Sequence, residues 1–308
     1  MKIILITFII ILMSVSSYAF SDDFYGFKDG MYRQFYDTGE LKRIVTIKDE
    51  QLTGSFNTFY KSENLKGEGT YVNGIINGPA IGYYSDKTMK MEVMYDKGEF
   101  NGLIKVYYPS GQLKSESHYH KGSLDGEYKE YRLNGSLYYK RTYLADRING
   151  QAYEYHEDGY LIREAQFVNS VQKGVVKQYD AGGHLVNLFE AYDGQPEGMF
   201  RAYYFEGGLK NEAKFSKGSL RDTVLKEYFK TGELWREVAI KDGKRNGIAY
   251  EYYLTGALKG LGRYEDDKKE GIFRTFYING YLKNEAIYGN NVLVGEVSYD
   301  ELGVLIEK

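Results

Sequence analysis

"GLIKVYYPSGQLKSESHYHKGSLDG", residues 102–126, decides the fold, because its spelling returns along most of the chain. Counted from Gly102 as position zero, equivalent glycines stand at Gly30, Gly54, Gly78, Gly126, Gly150, Gly174 and Gly198, with a spacing of 24 residues. One residue is then inserted and Thr223 takes the slot. Gly247, Gly271 and Gly295 resume the spacing, which gives eleven full repeats and a short twelfth. Position five is aromatic in every full repeat, from Phe35 and Phe59 through Tyr83 and Tyr107 to Phe276. Position eleven is leucine throughout, except for Met89. Position nine is glycine in nine of the eleven, and Glu63 and Lys87 are the departures. A fixed period of this length means that one supersecondary unit is copied and stacked.

Two short strands fit each repeat, near positions one to six and eleven to seventeen. A turn ending in glycine joins them, as in Pro109–Gly111 and Glu157–Gly159. Each repeat therefore reads as a β-hairpin. Two registers are open. A two-residue turn, suited to Asn134-Gly135 and Asp158-Gly159, sets position three opposite position fourteen and pairs Lys105 with Glu116, Arg201 with Glu212, Lys226 with Glu237 and Arg274 with Glu285. A three-residue turn makes the glycine a left-handed bulge residue, and then positions five, eleven and seventeen share one apolar face. The second is preferred, since a slip by one residue moves a whole apolar set to the wrong side.

A lone hairpin is marginal in water, so stability must come from stacking neighbours. The expected fold is all-β: an elongated, twisted antiparallel sheet of eleven to twelve tandem hairpins. No proline- or serine-rich tract breaks the series, so residues 20–308 read as one repeat domain. Two repeats depart most, 54–78, which lacks the turn glycine, and 174–198, where Asp180 and Leu188 replace the usual aromatic and glutamate. A local bend or a ligand-facing patch is expected there.

Residues 1–19 read as a signal peptide. Lys2 precedes an apolar run from Ile3 to about Val15, and Ser17-Tyr18-Ala19 suits a small-x-small cleavage site. Cleavage there leaves no stable membrane span and places the protein in a periplasm or outside the cell. With no cysteine in 308 residues, disulfides, thiolate metal sites and cysteine nucleophiles are excluded. A net charge of −3 with scattered lysines and arginines gives no basic stripe for nucleic acid.

No one-off polar constellation of the kind catalysis needs stands out. His118 and His120 share a strand face but lack a third ligand, so no metal is expected. Gly256, Gly260 and Gly262 are followed by a strand and not by the helix a nucleotide fingerprint requires. No cofactor and no enzymatic activity are expected. The remaining signal is the pairing of adjacent tyrosines. One ring of each pair can enter the core, while the other, at Tyr84, Tyr108, Tyr204, Tyr253 and Tyr277, forms a candidate partner-contacting row among lysines and glutamates. The plainer reading of that row is cross-strand cover for the sheet.

The repeat, best seen at 271–295, 102–126 and 247–271, resembles the MORN repeat variant, a bacterial hairpin-repeat family. The resemblance implies a hairpin array, and for many bacterial members an antitoxin label. The resulting expectation is an exported, non-enzymatic scaffold that binds a protein partner through its sheet. A glycan or cell-wall binder is the first alternative, although Trp235 is the only tryptophan. A toxin-neutralising protein is the second.

Overall fold

A computed structural model describes residues 26–306. The signal peptide expected at residues 1–19 lies outside the described residues. Twenty-seven strands occur among them, with no helix, and every strand pairing is antiparallel. The described residues divide into two compact segments that meet at Arg147 and Ile148. Both repeat the same hairpin.

Strands Gly102–Tyr107 and Leu113–His120 form a representative hairpin. Its turn is the three-residue one. The Gly111 amide donates to the Tyr108 carbonyl at 2.9 Å and the Tyr108 amide to the Gln112 carbonyl at 2.9 Å. Gly111 has φ 89°, the left-handed region that closes a type I turn with a bulge. Glu63 and Lys87 make the same turn at φ 60° and 76°, with their amides donating to Tyr60 and Tyr84. The turn of repeat 174–198 also keeps its backbone bonds, and Asp180 caps it by accepting from the amides of Gly182 and His184, both at 2.9 Å. The expected bend is therefore absent from both turns.

The register combines the two expected ones. Tyr107 faces Leu113, as the three-residue turn demands, but a bulge between Leu113 and Ser115 shifts the strand, and Glu116 then faces Lys105. Arg201–Glu212, Lys226–Glu237 and Arg274–Glu285 are cross-strand partners for the same reason. The bulge corrects the expectation that position seventeen shares a face with positions five and eleven. Directly opposed residues lie on one face, so Tyr107 and Leu113 lie with Lys105 and Glu116. Tyr119 lies on the other side, with Ser115, Ser117 and Ile104.

That other side is the core. Ile104, Val176, Val238 and Ile47, from positions two, fifteen and seventeen, are all but sealed from solvent. In the N-terminal segment Val45, Ile47, Leu52 and Phe56 form one cluster, and Ala80, Met91, Val93, Tyr95 and Ile104 another. In the C-terminal segment Ala165, Val176, Phe189 and Ala191 do the same. Burying each such aliphatic side chain stabilises by about 1.5–3 kcal/mol.

Successive hairpins are joined by two-residue turns at positions nineteen and twenty. Lys121 and Gly122 both have positive φ, 48° and 80°, the type I′ geometry that matches strand twist. The amide of Gly122 reaches the Phe100 carbonyl of the preceding junction at 2.9 Å, and Gly74 and Gly98 do likewise to Leu52 and Ile76. These junctions thus hydrogen-bond the ones before them.

Candidate functional site

The tyrosines of the candidate row stand at position six, one residue beyond the first strand, where the turn begins. Each is half-buried, and each hydroxyl donates to a backbone carbonyl of the next repeat, at position five except in the short last repeat, where Tyr299 stands at position four. Tyr84 reaches Tyr107 at 2.8 Å, Tyr108 reaches Tyr131 at 2.9 Å, and Tyr204 reaches Tyr228 at 2.8 Å. Tyr253 reaches Phe276 at 2.8 Å and Tyr277 reaches Tyr299 at 2.9 Å. Tyr36 and Tyr60 belong to the same series. A lysine at position twelve, pushed outward by the bulge, lies over the ring: Lys90 over Tyr84 at 5.4 Å, Lys114 over Tyr108 at 5.6 Å and Lys283 over Tyr277 at 5.3 Å. One repeat exchanges the two partners, with Arg132 at position six and Tyr138 at position twelve, 4.0 Å apart. These rings tie repeat to repeat, and the lysines cover part of their faces.

The position-five tyrosines, on the polar face, form a second inter-repeat tie. Their hydroxyls donate to the glutamate at position fourteen of the preceding repeat: Tyr83 to Glu68 at 2.6 Å, Tyr107 to Glu92 at 2.8 Å, Tyr179 to Glu164 at 2.8 Å, Tyr228 to Glu212 at 2.9 Å and Tyr252 to Glu237 at 3.0 Å. The hydrogen bond to Glu68 and partial burial hold the Tyr83 hydroxyl at about 12. Burial, then the glutamate bond, raises Tyr107, Tyr179, Tyr228 and Tyr252 to about 12 as well. Ion pairs between positions three and fourteen complete this face, with Arg201–Glu212 at 3.2 Å and Arg274–Glu285 at 2.7 Å.

The chain is similar to the MORN repeat variant family. The family's profile matches at residues 28–49, 100–121 and 124–145. No curated protein matches the chain. Among solved structures, crystal structures of TcdB2-TccC3 align over 89% of this chain and 18% of theirs, at 12% identity and a TM-score of 0.20. The TcdB2-TccC3-TEV structure aligns over 90% and 15%, at 13% identity and a TM-score of 0.19. The Photorhabdus luminescens Tc holotoxin pore gives 89% and 18%, at 14% identity and a TM-score of 0.20. The chain thus spans less than a fifth of the length of these structures.

A feature of the MORN-like repeat that the sequence reading missed is position one. Val175, Met199, Val224, Ile248 and Ile272 come from five consecutive repeats and are 39–49% exposed. They lie on the same face as the lysine, arginine and glutamate rows, and equivalent side chains two strands apart are separated by about 9.6 Å. Leu103 and Met31 hold the same position in the N-terminal segment. The signal was present in the sequence as a mostly aliphatic column, but the bulge had to be known before that column could be put on the wet face.

His118 is exposed, and its Nδ1 lies 3.3 Å from the Glu127 carbonyl oxygen. Among the described residues no group of three or more histidines, aspartates or glutamates could hold a metal ion. No helix among them is long and apolar enough to cross a membrane.

Proposed function

We propose that this protein is an exported, non-enzymatic scaffold that binds a protein partner across the polar face of its hairpin array. The observation that carries the reading is the exposed aliphatic column Val175, Met199, Val224, Ile248 and Ile272. Alone, each is an ordinary surface residue. As a regular column flanked by fixed ion pairs they offer apolar anchors inside a charged frame, the composition of a protein-binding surface. An array repeats a modest contact many times, which favours an extended partner. Export rests on the N-terminal sequence alone. A toxin-neutralising role, implied by the family resemblance, is the narrower form of this reading, with the partner a toxin met outside the cytoplasm.

Glycan binding is less well supported. Sugar stacking needs open ring faces, and the position-six rings carry lysines over them and have their hydroxyls engaged. The test is photocrosslinking in cells of origin from a benzoylphenylalanine placed at Val224. A discrete crosslinked protein is expected, and it is expected to be lost when Ile248→Lys is added. No discrete product from Val224 or Met199 would refute the reading.

A further inference from the structure

Leucine takes the place of the repeat glutamate at position fourteen twice in the C-terminal segment, at Leu188 and Leu261. Around Leu261 the polar face loses its usual charges. Its cross-strand partner at position three is Tyr250, where the neighbouring repeats carry Lys226 and Arg274. Ile248 and Ile272, at position one on the strands to either side, are 49% and 41% exposed. The middle strand, Leu258–Glu265, turns Leu261 and Arg263 outward, with the buried Gly262 between them. The result is a dimple of about 300 Å³, walled by Ile248, Leu261, Ile272 and Arg263 over a floor that includes Gly262.

Arg263 closes the fourth side. It is exposed, and no carboxylate pairs with it among the described residues. Glu270 faces it across the strand pair, but the Glu270 carboxylate accepts from the Asn290 amide at 2.7 Å. The position-three cations of this face are neutralised in contrast, Lys177 by Glu164 at 3.2 Å, Arg201 by Glu212 at 3.2 Å and Arg274 by Glu285 at 2.7 Å. Three aliphatic walls and one uncommitted guanidinium therefore meet where the preceding repeat presents Glu237, already bonded to Tyr252.

From this geometry we infer that the dimple at Leu261 is the anchor point for an acidic segment of the partner. One apolar side chain of that segment enters between Ile248, Leu261 and Ile272, and an adjoining aspartate or glutamate pairs with Arg263. This assignment rests on the partner-binding reading and adds the chemistry of the segment that binds. A large side chain seated in a small pocket with an arginine beside it is the usual make-up of an interface hot spot. The planar guanidinium takes a carboxylate through two parallel hydrogen bonds. A basic segment would set like charge against Arg263, and an uncharged one would leave it covered and unpaired. Beside Leu188 the residue at position sixteen is Glu190, so that site does not favour the same segment.

Panning a random peptide library on the purified protein tests the assignment. The enriched peptides are expected to place a large apolar residue next to aspartate or glutamate. A selected peptide should bind Arg263→Gln about ten-fold more weakly, the factor that one charge-assisted contact supplies. Arg263→Glu should reverse the preference and take the same peptide with lysine in place of its acidic residue. Leu261→Glu restores the residue of the adjacent repeats, so it should fold, as circular dichroism would show, and it should abolish binding. Enrichment of basic or uncharged sequences, no enrichment at all, or undiminished binding by folded Arg263→Gln and Leu261→Glu would each overturn the assignment. The two readings fail separately: absence of a crosslink from Val224 refutes the partner, whereas the acidic anchor stands or falls on the selected peptides.

Discussion

At position five, the choice between tyrosine and phenylalanine follows position fourteen of the preceding repeat. Tyrosine follows glutamate at Glu68–Tyr83, Glu92–Tyr107, Glu116–Tyr131, Glu164–Tyr179, Glu212–Tyr228 and Glu237–Tyr252, all hydrogen-bonded. Phenylalanine follows Ile44 at Phe59 and Leu261 at Phe276. Tyr155, after Lys140, and Tyr203, after Leu188, break the rule. A half-buried carboxylate gains from a donor, whereas an apolar neighbour makes a hydroxyl a liability. Tyr107→Phe should therefore cost about 1.5–3 kcal/mol, while Glu92→Leu combined with Tyr107→Phe should cost much less than the two single changes summed. Urea denaturation of the double-mutant cycle measures it. The same bonds set an alkaline limit. The unfolded hydroxyl titrates near 10 and the folded one at about 12. Between those values the unfolded chain has lost protons that the folded one keeps, so stability is full below pH 10 and falls as pH rises towards 12. Urea midpoints should be flat from pH 8 to 9.5 and drop by pH 11.5, with a shallower drop when several position-five tyrosines are phenylalanine.

Within the hairpin, the demanding residue is the left-handed one in the turn. Nine repeats meet it with glycine, and Glu63 and Lys87 adopt it at φ 60° and 76°. Left-handed backbone costs a residue with a Cβ about 1–2 kcal/mol, offset in part because glycine loses more entropy on folding. Glu63→Gly and Lys87→Gly should each stabilise by about 1 kcal/mol, seen as a higher denaturation midpoint with unchanged slope. On the core face, size matching across repeats matters in the opposite sense. A Cβ built on Gly262 would sit 2.1 Å from the Phe273 ring of the next repeat. Gly262→Val should destabilise by about 1–3 kcal/mol or more through overpacking, and the further change Phe273→Ala should recover part of that loss.

For the molecule as a whole, nearly every tie that matters runs from one repeat to the next: the position-six hydroxyls, the position-five tyrosine–glutamate bonds and the amides of the junction turns. Stability in such an array is a sum of nearest-neighbour terms. Excising one period, residues 248–271, rejoins Gly247 to Ile272 with all positions in phase. The product should fold cooperatively, with a lower midpoint. Excising half a period, residues 248–259, puts inward positions on the wet face and should abolish cooperative unfolding in the C-terminal segment, as hydrogen exchange would show. A shortened chain retains Val175, Met199 and Val224 and should still crosslink to a partner from Val224, more weakly than the full column.

The hairpin, its period, its three-residue turn and the pairing of Lys105 with Glu116 were all legible in the sequence, because spacing, turn glycines and charge complementarity are local or nearly local properties. Which face each position takes was not legible, because one bulge at position twelve reverses the alternation, and a bulge leaves no mark on composition. Tertiary structure alone therefore moved position seventeen into the core and Leu113 out of it. It turned Tyr84, Tyr108, Tyr204, Tyr253 and Tyr277 into ties between repeats, and brought Val224 and Ile248 to the surface.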